Sequence, residues 1–385
     1  MNELSPIDRM RAEAVTPDPI HPKVRELDVI DTDFHFSPPW SVIRSYLKEP
    51  FRELLHHYPA TSLEYNPEPA NEKPGVGQDT HGTAGTAQEV LAVLDRMGVS
   101  TVILNPGYTR PQSMFNEPVI AAVASAHNDY LIKEVFPVSD RIKASMMICH
   151  RDPLLGAAEI RRVGHHPQFV SVFTEFSGLY EPIGNAKFDP ILDAMKEFDL
   201  TLTAHSGGWF PHFTPLWNGA RTWIELFGNA PAGNCMAHIA AMIAQGMFDK
   251  YPDQMVVFQE GGYWWIPDLM LRLDDFYMSS SGDIALVERK LATGERRLNK
   301  MPSEYFLSNI RFSTQPVTIP KNKKYFAWLL EMCHAEDLFL FSSDWPHQTM
   351  DPPNWIVEHP DCIPLEMQKK IFSQNARAAF KRLRT

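Results

Sequence analysis

Three stretches far apart in the chain each end a strand-like run in a side chain able to hold a metal ion or move a proton. Near the start, Val29-Ile30-Asp31-Thr32-Asp33-Phe34-His35 closes on an Asp-x-His pair. Midway, Leu200-Thr201-Leu202-Thr203-Ala204 runs into His205. Near the end, Leu338-Phe339-Leu340-Phe341-Ser342-Ser343 delivers Asp344 into a Trp345-Pro346-His347 turn. Residues i and i+2 of a strand point to one side, so Asp33 and His35 can grip one ion. Imidazole and carboxylate donors suit Zn, Fe or Mn. Such an ion brings the pKa of bound water down to about 7, and Asp344 can both touch the ion and take the proton from that water. A lone strand-end histidine is more often a hydrogen-bonded structural residue, and Asp before Trp-Pro is often a turn former. The combination on three strand ends is what points to a divalent metal.

Other strand ends and mouth loops add candidates. Glu260 closes Met255-Val256-Val257-Phe258-Gln259 just before Gly261-Gly262; it is a catalytic or metal-binding carboxylate, or one that caps the amides of the next loop. Glu175 ends another β-rich run and either binds metal or pairs with a loop cation. His238, in the segment after His205, either donates a proton or polarises a carbonyl, or bonds to the backbone. His347 is expected to orient Asp344 rather than to bind the ion, and His150 is a weaker candidate. Bulky rings crowd the same ends: Trp209 and Phe210 after His205, Trp264 and Trp265 after Glu260, Trp345 after Asp344. They suggest an apolar or ring-bearing substrate; plain packing is the alternative, and neighbours 264 and 265 must diverge.

What must position these groups is a set of strands sharing one rim. Apolar β-rich runs are predicted at Leu27–His35, Ser100–Asn105, Ile142–Cys149, Phe169–Glu175, Leu200–His205, Met255–Glu260, Asn309–Gln315 and Leu338–Asp344. Helical patterns alternate with them: Trp40–Tyr58, Thr86–Met97, Asn116–Val135, Leu154–Val163, Asp189–Phe198, Cys235–Tyr251, Ile266–Tyr277, Tyr325–Ala335 and Leu365–Arg384. Alternation argues for a parallel sheet, and the number of strands for an α/β fold closed as a (β/α)8 TIM barrel. A doubly wound sheet is the alternative, but no Gly-x-Gly-x-x-Gly follows the first strand. A long loop and helix insertion, roughly 37–85, follows strand one, and a charged segment, 282–303, is inserted before strand seven. The expected organisation is a tail over 1–26 and one barrel domain over 27–385.

The chain has 385 residues, 44% of them hydrophobic, and a net charge of −11. That charge argues against nucleic acid or an anionic membrane as partner and leaves a small-molecule substrate. The four cysteines share no metal-knuckle spacing and read as free thiols in a reducing compartment. The segment Met1–Leu27 has no apolar core of a signal peptide, and no run approaches the ~18 apolar residues of a membrane span. These readings predict a soluble, cytoplasmic protein.

In this order the motifs resemble the amidohydrolase superfamily, in its branch related to aminocarboxymuconate semialdehyde decarboxylase. The carrying residues are Ile30-Asp31 with Asp33-x-His35, His205, Gly246-Met247-Phe248-Asp249-Lys250-Tyr251-Pro252, Glu260-Gly261-Gly262, Pro302-Ser303-Glu304-Tyr305-Phe306, Ser342-Ser343-Asp344-Trp345-Pro346-His347 and Asn375-Ala376-Arg377. The resemblance spans roughly 29–382. It implies a metal held by Asp33 (where the family usually has His), His35, His205 and Asp344, and a homodimer. Binuclear relatives bridge two ions with a carboxylate-bearing residue where Glu175 stands, so one ion is expected and a second stays open. The decarboxylases often carry histidine where this chain has Glu260, which favours hydrolysis here. The first expectation is therefore a metal-dependent hydrolase, in which an activated water attacks an ester, thioester, amide or ketone carbonyl while Asp344, with His238 or Glu260, handles protons. The alternative is a non-oxidative decarboxylase, or a hydratase, of an aromatic or unsaturated acid. A non-catalytic scaffold fits poorly with so complete a ligand set.

Overall fold

The apolar runs assemble into one eight-stranded sheet whose strands pair in parallel and in chain order. The computed structural model describes residues 20–57, 84–107, 115–175, 179, 181–206, 221–347 and 349–384. Residues 1–19 of the expected tail, most of the first long insertion, and Trp209 and Phe210 lie outside them. The strands are β1 (Ile30–Phe36), β2 (Thr101–Pro106), β3 (Ile142–Met147), β4 (Phe169–Glu175), β5 (Thr201–His205), β6 (Val256–Gln259), β7 (Ile310–Ser313) and β8 (Phe339–Leu340). A helix follows each: α1 (Ala87–Met97), α2 (Glu117–Tyr130), α3 (Pro153–Val163), α4 (Asp189–Glu197), α5 (Ala230–Ala244), α6 (Ile266–Ser280), α7 (Lys323–Met332) and α8 (Leu365–Lys369). This is a (β/α)8 barrel, as the alternating pattern predicts.

Local sequence sets the helix ends. Thr86 and Glu89 form a capping box at the start of α1, and Gly98 closes it at φ +68°. Asn116 and Asp152 cap α2 and α3. Several helices are shorter than their patterns suggest. The predicted 40–58 helix is split into Trp40–Tyr46 and Phe51–Leu54, because Pro50 offers no N–H and disfavours helix at the residue before it. The predicted 235–251 helix stops at Ala244 and resumes at Met247–Lys250, across Gly246 at φ +66°. After α8 the chain passes through a π-turn at Lys370–Gln374 into Asn375–Ala379.

The two ends of the barrel are built differently. At the bottom, Ile30, Ile103, Val170, Val257 and Leu340 form an apolar cluster with Ala376, Ala379, Phe380 and Leu383. The C-terminal segment thus plugs the lumen. Thr201 donates to Ala379 O at 2.8 Å, and Asn375 Nδ2 to Phe339 O at 2.8 Å, which gives the Asn375-Ala376 motif its structural meaning. At the top, β8 is only two residues long; the extended stretch predicted as far as Asp344 leaves the ladder after Leu340. The seam with β1 is closed instead by single bonds: Thr32 N to Phe341 O at 3.1 Å, Asp344 N to Asp33 O at 2.9 Å, and His35 N to Trp345 O at 2.8 Å. No described helix is long and apolar enough to cross a membrane.

Because Phe380 is fully buried in the bottom cluster, Phe380→Ala is expected to lower the unfolding free energy by about 3–5 kcal/mol. Denaturant unfolding checks this; a loss under about 1 kcal/mol would mean the plug contributes little.

Candidate metal centre

The barrel gathers its polar groups at the top. Asp33 and His35 sit on β1, His205 ends β5, Glu260 follows β6, and Asp344 and His347 follow β8. Ligand atoms of Asp33, His35 and His205 lie within 4.8 Å of one another, as do those of His35, Glu260, Asp344 and His347. His35 belongs to both groups. Its Nε2 is 3.1 Å from Asp344 Oδ1 and 3.6 Å from Asp33 Oδ1. His205 Nε2 lies 3.7 Å from Asp33 Oδ2 and 3.4 Å from Glu260 Oε2. His347 Nδ1 is 3.2 Å from Glu260 Oε1 and in close contact with Asp344 Oδ1.

Backbone shape aims these groups. The pairing of β1 with β2 shifts register between Asp31 and Phe34, a bulge that re-aims side chains at the rim. Glu260 and Asp344 have φ of +55° and +58°, unusual for residues with a Cβ. Neighbours hold both turns. Glu260 donates its N–H to Ser313 Oγ at 3.2 Å. Asp344 Oδ2 accepts from Gln315 Nε2 at 2.7 Å. Ser343, beside Asp344, donates its N–H to Asp31 Oδ1 at 2.9 Å and its hydroxyl to Asp31 Oδ2 at 2.5 Å.

The electrostatics are those of a site built for a cation. Burial, then the Asp344 and Glu260 carboxylates, hold the Asp33 carboxyl well above the usual carboxylate range. Burial lifts Asp31 to about 7 against the bonds from Ser343. Burial also pushes His35 and His205 down to about 3, so both are neutral donors at physiological pH. Asp33 Oδ2 and His35 Nε2 are buried with no hydrogen-bond partner. Orphaned acceptors and neutral imidazoles facing each other are what a divalent ion would satisfy. The residues present therefore fit a metal held by Asp33, His35, His205 and Asp344, with Glu260 in reach.

Not every candidate joins the centre. Glu175 is buried at the end of β4 and pairs in register with His205, yet belongs to neither converging group. His238, on α5, is buried and its Nδ1 accepts the Ile183 N–H at 3.2 Å. This is the backbone-bonded place left open for it by the sequence, and burial pushes its pKa to about 3. His150 is buried beyond β3, with both ring nitrogens lacking a hydrogen-bond partner. His347, expected to orient Asp344 rather than bind the ion, contacts Asp344 Oδ1, lies 3.2 Å from Glu260 Oε1 and belongs to one of the converging groups. Trp345 is a core residue, stacked on Phe34 at 4.6 Å. Trp264 and Trp265 diverge as their adjacency requires: the first is 47% exposed, while the second donates to Gly261 O at 2.7 Å and packs edge-on against Phe312.

A cleft of about 380 Å³ opens beside Glu260, walled by Phe227, Trp264, Trp265, Gln315, Pro316 and others. A larger hollow of about 740 Å³ lies near Met278, Leu286 and Leu291 on the outer helices and contains no candidate ligand. The smaller one is therefore the cleft that adjoins the candidate centre, through Glu260. Sequence reasoning missed Asp31, Asn105, Gln259 and Gln315 as supports of the site. For Asn105, Gln259 and Gln315 the available signal was a polar residue at the end of an apolar strand run, which in a barrel faces the mouth.

With fold and geometry in place, the amidohydrolase family pattern matches residues 30–382. The chain belongs to the amidohydrolase family and is an enzyme. A comparison with curated proteins finds no match. Among solved structures it is similar to 5-carboxyvanillate decarboxylase of Sphingomonas paucimobilis, at 20% identity, 92% of this chain, 99% of that one and a TM-score of 0.66. It is also similar to 2,6-dihydroxybenzoate decarboxylase of Rhizobium (20%, 92% and 99%, 0.65). A third is the dihydroxybenzoic acid decarboxylase of Polaromonas sp. JS666 with bound manganese and 2-nitroresorcinol (19%, 93% and 98%, 0.63). At such identities these likenesses speak for the fold.

Two outcomes are expected. Asp344→Asn, which removes a negative charge from the centre, weakens Mn2+ binding by at least about tenfold in a chelator-competition titration; unchanged binding would remove Asp344 from the ligand set. The second concerns pH. Buried His127 and His150, ordinarily near 6.5, stand at about 4 and about 3. The unfolded chain binds their protons more readily, so the stability they carry is complete above pH 6.5 and is lost as pH falls toward 3–4. Each contributes at most about 1.4 kcal/mol per pH unit, so His150→Gln flattens the fall in urea midpoint between about pH 7 and about pH 5.

Proposed function

We propose that this enzyme is a metal-dependent, non-oxidative decarboxylase of an aromatic or unsaturated carboxylic acid, with Mn as the favoured ion. The carrying observation is the group His35, Asp344, His347 and Glu260, of which Glu260 also lines the ring-walled cleft. The activities of the three similar structures, all decarboxylases of aromatic acids, favour it over the hydrolysis that Glu260 suggested from sequence.

Decarboxylation replaces a C–CO2− bond by C–H, so the site must bind an anion, exclude water and hand one proton to the carbon that loses CO2. The ion, when held, would supply the positive charge that orients the acid and an adjacent oxygen. Trp264 and Trp265 offer walls against which a flat ring lies. Asp344 and His347 are in hydrogen-bond contact, so a proton held between them can pass from the carboxyl to carbon. Glu260, 3.2 Å from His347 Nδ1, can then pass a replacement proton from solvent to that imidazole, which balances the one proton the reaction consumes. Gln315, bonded to Asp344 Oδ2 and to Thr349 O, keeps the carboxyl facing inward. A carboxylate at 260 thus serves through His347 rather than as a cationic acid in its own right.

A panel of hydroxybenzoic and related unsaturated acids, given to the Mn2+-loaded enzyme in 18O-water and in deuterium oxide, decides the matter. Release of CO2, one solvent deuterium on the product carbon and no 18O in the product are expected. Products that gain 18O without CO2 release would establish hydrolysis instead.

A further inference from the structure

Asp33 is not free to turn on its own torsions. Asn105, at the end of β2, donates one N–H to Asp33 Oδ1 at 2.7 Å and one to Gln259 Oε1 at 2.8 Å. Gln259 Nε2 donates in turn to Thr32 O at 2.5 Å. Ser145 donates its hydroxyl to Asn105 Oδ1 at 2.6 Å and meets Ser171 Oγ at 2.7 Å. All of these side chains are fully buried. Valence fixes the direction of the belt. Thr32 O can only accept, so Gln259 turns its NH2 group to that carbonyl and its oxygen to Asn105, whose NH2 group therefore faces Gln259 and Asp33 and whose oxygen is left for Ser145. Asp33 Oδ1, 3.6 Å from His35 Nε2, thereby already carries one hydrogen bond. Asp33 Oδ2 is buried, has no hydrogen-bond partner, and lies 3.7 Å from His205 Nε2.

We propose that Asn105, locked by Gln259 and Ser145, is a positioning residue that makes Asp33 a one-oxygen metal ligand, withdrawing Oδ1 from the ion and presenting Oδ2 to it. This rests on the metal-centre reading. The terminal torsion of Asp is broad and nearly two-fold, so without a donor on Oδ1 the carboxylate can offer either oxygen or both. An imidazole in this place would hold the ion with one nitrogen and satisfy itself with the other; a carboxylate needs an outside donor, and the donor must be neutral, because a cation there would compete with the metal. An amide held at both ends meets those demands. The belt crosses β1, β2, β3, β4 and β6, so the orientation of Asp33 is set by five strands at once.

The test is Asn105→Leu, close in size but without a donor. Mn2+ affinity is read by competition with a chelating dye and the geometry of bound Mn2+ by electron paramagnetic resonance, with the thermal melt of the metal-free variant as the check on folding. Binding about tenfold or more weaker, together with an altered Mn2+ spectrum, is expected. Unchanged affinity, or weaker binding with an unchanged spectrum, would overturn the proposal. If Asn105→Leu does not fold, Gln259→Met removes the outer anchor and is expected to give the same two changes in smaller measure; no change in either overturns it equally. A wild-type chain that binds no Mn2+ sinks this proposal and the metal centre together. One that binds Mn2+ yet releases CO2 from no acid defeats only the functional reading.

Discussion

Like charges held out of water are the constraint to which the rest of the structure answers. Asp33 and Asp344 are fully buried and Glu260 is partly exposed beside them, and burial pushes His35 and His205 toward the neutral form. Carboxylates at such separations in a low-dielectric site repel strongly unless a cation lies between them or a proton is taken up. The geometry is also unfavourable locally: two of the carboxylate-bearing residues have left-handed backbone, a conformation that costs on the order of 1–3 kcal/mol each where a residue carries a Cβ. Such an arrangement persists only when its surroundings over-determine it.

The barrel supplies that over-determination at three levels. The C-terminal segment fills the bottom of the lumen with Phe380 and its neighbours, so the strands are set by an apolar plug well away from the charged end. A belt of neutral amides and hydroxyls then crosses the lumen beneath the ligands. At the seam between β8 and β1 the regular ladder gives way to bonds made by Asp31, Thr32 and Ser343. The irregularity has a use: a strand continuing past Leu340 would carry Asp344 on along the ladder, whereas the turn brings it back over His35.

Glu260 shows how a departure from a familiar pattern takes its meaning from its surroundings. From the sequence it reads as a carboxylate where a cationic acid is usual, and so argues for hydrolysis. In the structure it lies within reach of both His205 and His347. A carboxylate touching an imidazole is one half of a proton-handling pair, which suits decarboxylation as well as a histidine would. Trp345 makes the opposite point. Its place after Asp344 suggested a substrate contact, but it is buried and stacked on Phe34 in the core.

Much was legible in the chain itself. Alternating apolar runs fixed the parallel barrel, because burial on both faces leaves near-continuous hydrophobic strands separated by amphipathic helices. The strand-end residues Asp33, His35, His205 and Asp344 could be picked out because a barrel brings the C-terminal ends of its strands to one rim. Periodicity could not say which strand-end polar residues bond to one another across the lumen, so Asn105 and Gln259 went unread. Nor could it tell that His238 would spend a ring nitrogen on the Ile183 amide, or that Glu175 would stand beside His205 and outside the ligand groups. Those outcomes depend on register and on distances of a few ångströms between groups remote in sequence, and only the closed barrel decides them.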